Sequence, residues 1–299
     1  MVRSFVATDG LLDLAAEQWG MFTTSQARQE GLSAQVLARL ADNGYLERIR
    51  HGVYRIAGTP HGPAERLQAA WLALRPDLAA HARLVQDSVE AVVSHRSAAQ
   101  LHQLGDLDAD RLEFTASRRR QARDSDVRFH LAVVPRQDWT LVDGLPVTTP
   151  LRTITDLAQV RLDGGHLAGI VRDAVTTLHL DPDQVARGLR PFAHHYGAAL
   201  GDGHAFLSDL LHLVGVPEST MTTAELMRSP EQQRMFDALV TAIATARIRP
   251  RDLQAALDQS GAATPEARDS SDVVVVARTM SGHAKVRPPQ GDAEQHTDA

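Results

Sequence analysis

The sequence predicts an α+β chain, and three observations carry that expectation. Residues 9–58 alternate short capped helical patterns with a pair of β-prone runs. Residues 90–148 change register to short β-prone runs separated by polar turns. Residues 149–257 return to apolar positions spaced at i, i+3, i+4 and i+7, the pattern of helices that bury one face. With 299 residues and 43% hydrophobic content, the chain is long enough for more than one packed core. Only 4% is aromatic, so Leu, Val and Ala must fill those cores.

The first part reads element by element. Asp9 caps a helix from about Leu11 to Gln18, which Gly20 ends. Thr23 and Gln26 have the spacing of a capping box, each side chain taking the other's backbone amide, and Gly31 stops that helix. Ser33 caps a third, Ala34 to Asn43, closed by Gly44. Its Val36, Leu37, Leu40 and Ala41 lie on one side, while Gln35, Arg39 and Asp42 face the other. Leu46 to Ile49 and Val53 to Ile56 then form a hairpin joined by Arg50-His51-Gly52. Arg48 and Arg50 share a face by the two-residue period of a strand, with His51 at the tip. Short helices followed at once by an arginine-bearing hairpin describe a winged helix-turn-helix. Gly58-Thr59-Pro60-His61-Gly62-Pro63 reads as a linker, so a DNA-binding domain is expected over residues 1–60.

A second domain is expected over 61–257, beginning with a helix around Leu67, Ala70, Trp71 and Leu74. Its β-rich part, about 90–148, contains runs at Ala91–Val93, Leu112–Thr115, Val127–Val134 and Leu141–Val147, with a small helix in SHRSAAQLHQLG. Its helical part, about 149–257, shows Leu167, Ile170, Val171, Ala174, Val175 and Leu178 at helical spacing. Leu207, Leu210, Leu211 and Val214 repeat it, as do Phe236, Leu239, Val240 and Ile243. Residues 258–299 turn to Ala, Ser, Asp, Pro and Gln and are expected to be a disordered tail.

Composition narrows the chemistry. The chain has no cysteine, which removes a disulfide framework, a thiolate zinc site and a cysteine nucleophile. The N-terminus has no signal-peptide core and no segment approaches about 18 apolar residues, so a soluble, cytoplasmic protein without membrane contact is expected. A formal net charge of −6 argues against a nucleic-acid partner, which usually demands a basic footprint. Residues 46–58 answer it locally: Arg48, Arg50 and Arg55 face Glu47 alone. A nuclease would need an acidic pair followed closely by lysine to hold a metal, and Lys285 is the single lysine, far out in the tail. Asp106, Asp108 and Asp110 open like a calcium loop, but Arg111 stands where glycine is needed and Ser117 where the bidentate glutamate belongs. The same spacing lacks the Gly-Ser helix start of a nucleotidyltransferase. His194, His195, His204 and His212 have no zinc spacing. No catalytic residue, metal or cofactor is expected.

Other motifs take structural readings. His95-Arg96 has no partner at a recognisable catalytic spacing, and Ser94 or Ser97 is expected to cap the helix there. Thr148-Thr149-Pro150 reads as a strand running into a helix with Pro150 at its first position. Arg118-Arg119-Arg120, with Arg123, is either a solvated loop or a second DNA contact.

The run from Gly31-Leu32-Ser33 through a short helix and a Gly to a basic hairpin ending Gly52-Val53-Tyr54 resembles the winged domain of the AbiEi family of antitoxins, from type IV toxin-antitoxin systems. Val93-Ser94-His95-Arg96-Ser97-Ala98-Ala99 and Leu145-Pro146-Val147-Thr148-Thr149-Pro150-Leu151-Arg152-Thr153-Ile154-Thr155-Asp156-Leu157-Ala158 are similar to two signatures of the longer, actinobacterial-type members. The resemblance implies a transcriptional repressor that binds inverted repeats in its own promoter and counteracts a nucleotidyltransferase-like toxin, with a direct toxin complex left open. The DNA-facing set is Thr24, Ser25, Ser33, Gln35, Arg39, Arg48, Arg50, His51 and Arg55. Arg39 fits either a base contact or a solvated face paired to Asp42. The hairpin arginines fit phosphates, because three cations on so short a hairpin have few internal partners. A single winged module makes few phosphate contacts, so two copies are expected on the DNA, with possible self-association there. The alternative is a winged protein with a nuclease-type or protein-interaction C-terminal domain.

Overall fold

Local capping sets the first elements: α1 (Asp9–Glu17), β1 (Met21–Thr23), α2 (Thr24–Gln29) and α3 (Ala34–Asp42), then the hairpin β2 (Leu46–Arg50) and β3 (Val53–Ile56). Thr23 and Gln26 form the expected capping box, with the Thr23 amide donating to Gln26 Oε1 at 2.8 Å. Ser33 Oγ accepts from the Val36 amide and starts α3. In the computed structural model, residues 9–84, 89–121 and 124–216 are described, within a unit that spans Met1–Thr222. The expected helix around Phe236 and the tail lie outside the described residues.

Two details of the hairpin differ from the sequence reading. Arg50 belongs to β2, so the turn is only His51-Gly52, with Gly52 at φ +75° as a left-handed turn position requires. The ladder also shifts between Arg48, opposite Tyr54, and Arg50, opposite Val53. This bulge breaks the shared face predicted for the two arginines. The short β1 completes a three-stranded sheet of order β1-β3-β2, with Phe22 opposite Tyr54.

That sheet is buried on both sides. Phe22, Leu46 and Tyr54 join Leu11, Ala15, Ala27 and Leu37 in a winged core. Met21 and Val53, one residue along each strand, join a second core with Ala64, Leu67 and Trp71 of the following segment. That segment is α4 (Glu65–Leu74) and α5 (Ala80–Leu84). Backbone groups between them are held by the winged part: Gln26 Nε2 donates to Leu78 O at 2.9 Å, and Gln18 Oε1 accepts from the Ala80 amide at 3.2 Å. Trp19 Nε1 donates to Asp143 O at 2.8 Å, and a side chain at Gly144 would stand 3.1 Å from the Trp19 ring.

The second core continues into a five-stranded sheet, built from β4 (Ala91–Val93), β5 (Leu112–Ala116), β6 (Val127–Leu131), β7 (Trp139–Val142) and β8 (Leu145–Thr148), in the order β6-β5-β4-β8-β7. The run predicted over Leu141–Val147 is therefore two antiparallel strands turning at Asp143-Gly144. The strand at Val127 ends at Leu131 rather than Val134. β4 and β8 run parallel with Val93 opposite Val147, and each feeds a helix, α6 (His95–Leu101) and α7 (Pro150–Gln159). Thr149 caps α7 with Pro150 at its start, as expected. α8 (Gly164–Thr176), α9 (Pro182–Leu189) and α10 (Gly203–Leu213) pack on α7 through Ile154, Leu157, Ile170, Val171, Leu189 and Leu210.

The start of α6 corrects the expected cap. Glu113 Oε2, from β5, accepts from the Arg96 amide at 2.9 Å. Ser94 Oγ is instead engaged by the Thr115 hydroxyl at 2.7 Å and His95 Nδ1 at 3.0 Å, and Ser97 Oγ donates to Arg111 O and accepts from the Glu113 amide. A carboxylate from the neighbouring strand reaches the helix terminus, so neither serine is needed there. His95, at φ +53°, stacks on His130 with ring centroids 3.5 Å apart. Burial first, and the adjacent His130 second, hold its pKa down at about 3, so the imidazole is neutral.

Gly203 abuts α9, where a Cβ would meet Ala186 O at 2.0 Å, whereas a Cβ on Gly169, inside α8, meets nothing within 4 Å. Gly203→Ala should therefore destabilise the fold by about 2 kcal/mol. Gly169→Ala should stabilise it by roughly 0.5–1 kcal/mol, both read as urea midpoints at constant m. Because the folded pKa of His95 lies below its ordinary 6.5, the unfolded chain binds the extra proton as the pH falls from 6.5 towards 3. The wild type should lose stability over that window more steeply than His95→Asn, measured by thermal unfolding; parallel curves would contradict a buried neutral imidazole.

Candidate nucleic-acid interface

α3 presents the surface expected of a recognition helix. Leu37 is fully buried in the winged core and Val36, Leu40 and Ala41 are half-buried, while Gln35, Arg39 and Asp42 are exposed. Among the described residues Arg39 makes no ion pair, so the alternative pairing with Asp42 is not formed. Ser33 is exposed and uses its hydroxyl as the cap. Thr24 and Ser25 are half-buried at the start of α2, and the Thr24 amide donates to Gly52 O at 2.9 Å, which ties that helix to the wing turn.

The hairpin divides its arginines. Arg48 is exposed and its Nη2 lies 2.9 Å from His51 Nδ1, so a cation and an imidazole sit together at the tip. Arg50 is 11% exposed, paired with Asp124 and, at 3.1 Å, with Asp126, which Arg66 of α4 also reaches at 3.3 Å. Arg55 is only 1% exposed and pairs with Glu47 on β2 and Glu65 on α4, beside His61. The expectation that all three cations have few internal partners is thus overturned for Arg50 and Arg55. The reason is strand geometry. Val53 and Arg55 share the face of β3 that packs on α4, and the bulge in β2 turns Arg50 towards the same side of the molecule as Ile49.

Sequence reasoning missed the acidic partners because two of the sets are remote. Asp124 and Asp126 precede β6, and Glu65 belongs to a helix beyond the linker. Glu47 is the available signal, since it stands directly opposite Arg55 in the hairpin. A cleft of about 590 Å³ lies between the wing and the acidic turn, lined by Ile49, Arg50, His51, Arg66, Asp124 and Asp126. The Arg118–Arg120 run sits in the crossover between β5 and β6. Arg118 and Arg119 are exposed and Arg120 donates to Leu74 O at 3.3 Å. Among the described residues no grouping of His, Asp and Glu could hold a metal ion, and no helix is long and apolar enough to cross a membrane.

A solved structure described as the crystal structure of the RV2827C protein from Mycobacterium tuberculosis is similar over 71% of this chain and 79% of its own, at 16% identity and a TM-score of 0.43. No curated protein matches the chain. A family profile described as "Transcriptional regulator, AbiEi antitoxin" matches residues 10–57, which run from α1 to the end of the hairpin. The winged module of this chain therefore carries the pattern of the AbiEi antitoxin transcriptional regulators, the family that its Gly31-Leu32-Ser33 turn and Gly52-Val53-Tyr54 hairpin end resemble.

Proposed function

We propose that the chain is a DNA-binding transcriptional regulator, and the observation that carries this is a family-matched winged module whose α3 leaves Gln35 exposed and Arg39 exposed without an ion-pair partner among the described residues. α3 enters the major groove with Gln35 and Arg39 at base edges, and Arg48 and His51 meet the backbone or minor groove. Thr24, Ser25 and Ser33 approach phosphates through the starts of α2 and α3. Arg50 and Arg55 are reassigned from DNA contact to holding the wing in place. The crossover bearing Arg118 and Arg119 also bears Asp124 and Asp126, the partners of Arg50, which favours these two arginines as a second backbone contact.

In the finer reading the protein is the non-enzymatic antitoxin of a cytoplasmic type IV toxin-antitoxin pair. It represses its own promoter through inverted repeats bound by two copies, and it counteracts a nucleotidyltransferase-like toxin. Residues 61–257 act as the antitoxin domain. Few outward cations per module make a second copy necessary for tight binding.

Gel shifts on the upstream region across a salt series test the regulator. Arg48→Ala should weaken binding to all sequences and reduce the salt slope by about one, whereas Arg39→Ala should lose roughly 1–3 kcal/mol chiefly on the specific site. No binding by the wild type at low salt sinks the proposal. Arg55→Ala should instead lower folding stability by about 2 kcal/mol, because Glu47 and Glu65 lose a hydrogen-bonded cation. For the antitoxin reading, coexpression with a neighbouring nucleotidyltransferase-like gene should relieve growth arrest. Persisting arrest with both proteins expressed counts against it.

A further inference from the structure

The two segments singled out around Ser94-His95-Arg96 and Thr148-Thr149-Pro150 take no part in the DNA contacts, yet the fold joins them. The parallel pairing of β4 with β8 sets Ser94 and Thr148 at the carboxyl ends of adjacent strands, where α6 and α7 begin. Beside this junction, against α6, β5 and β6, a pocket of about 180 Å³ opens, lined by Arg96, Glu113, Arg128 and His130, with Leu157, Val160 and Leu162 as an apolar wall and Arg161 and Asp163 beside them. At about 30 Å³ per water, that is room for roughly six water molecules, or one phosphate group with part of its ester.

The charges in this pocket do not cancel. Glu113 is already engaged by the Arg96 amide at 2.9 Å, by His130 Nε2 at 3.3 Å and by Arg128 at 3.7 Å. Asp163 uses its carboxylate on the amides of Gly165 and His166 as the cap of α8. The guanidinium groups of Arg96 and Arg161 make no ion pair among the described residues. Three arginines thus face two carboxylates, with Glu113 held by several donors and Asp163 Oδ1 by two amides, which leaves one cation in excess at the pocket.

The end of α7 fixes the position of Arg161. Arg161 sits at φ +57°, in the left-handed position that ends α7, with its amide donating to Ala158 O and that of Leu162 to Leu157 O. Glycine serves that position at lower conformational energy, and an arginine there costs about 1 kcal/mol. His95, stacked under His130, is the other left-handed residue at this site, at φ +53°. Gln103 ends α6 in the same way, so the left-handed position is a helix terminus that fixes where Arg161 stands beside the pocket.

We propose that the pocket between α6, β5, β6 and the end of α7 binds a phosphate group, its oxygens held by the Arg96 and Arg161 guanidinium groups with Arg128 at the rim. Forked guanidinium donors match phosphate oxygens in pairs. The group can come as free phosphate or on a nucleotide, whose base would lie on the wall of Leu157, Val160 and Leu162. The inference does not rest on DNA binding, since the pocket shares no residue with the winged module.

Isothermal titration calorimetry of the full chain with inorganic phosphate and with adenosine 5′-monophosphate, at constant ionic strength, tests it. At least one probe should bind saturably with a dissociation constant on the order of 1 mM or tighter. Arg161→Gly relieves the left-handed strain, so it should unfold at the wild-type temperature or above while binding about tenfold more weakly. Arg96→Gln should weaken binding similarly with its amide still on Glu113. Tighter binding of the nucleotide than of phosphate would identify the nucleotide source, and the reverse would identify free phosphate. No saturable binding of either probe, or equal affinity in wild type and both variants, overturns the proposal.

Discussion

The three-stranded winged sheet is covered on both faces, and the rest of the structure depends on that constraint. Alternation along β1 and β3 sends Phe22 and Tyr54 into the winged core and Met21 and Val53 into the core of the following region. A strand shared in this way cannot pivot without exposing one apolar layer or the other. The same alternation forces Arg55 into the interface, where a buried guanidinium is tolerable only with acceptors around it. Glu47, Glu65 and His61 supply them. The buried amides of Gln18 and Gln26 complete the junction, with Gln18 Nε2 donating to Gln26 Oε1 at 2.9 Å.

What the sequence can and cannot announce follows from how far each partner lies along the chain. Thr23, Gln26, Ser33 and Thr149 act on amides three residues away, so their caps are legible in the residue pattern alone. Helical periodicity likewise exposes α8 and α10. The three-residue β1 is not legible, because its partner β3 lies some thirty positions on and three residues carry no period. The fates of Arg50 and Arg55 depend on Asp124, Asp126 and Glu65, which no local pattern links to the wing. The residues of the candidate DNA surface on α3 are readable because their exposure follows from one helix alone. The polar pocket is hidden for the opposite reason: Arg96, Glu113, His130 and Arg161 come from four separate parts of the chain.

This division of charge sharpens the tension between the chain's acidity and the proposed DNA partner. Two hairpin arginines are engaged inside the molecule, and α3 and the wing tip offer only a few outward cations. On the proposed reading, a surface of that kind gains little from counterion release per copy, so base contacts and a second copy would carry a larger share of affinity. The fixed orientation of the wing reduces the ordering that binding would otherwise require.

β6 is short, but its two ends serve different places. Asp126, immediately before it, is gripped by Arg50 and Arg66, while His130, near its end, lies against His95 and Glu113. A five-residue strand in a ladder is stiff, and it connects the anchorage of the wing to the floor of the pocket. Were a ligand in the pocket to displace β6, thermodynamic linkage would make its effect on the wing's anchorage mutual and equal in free energy.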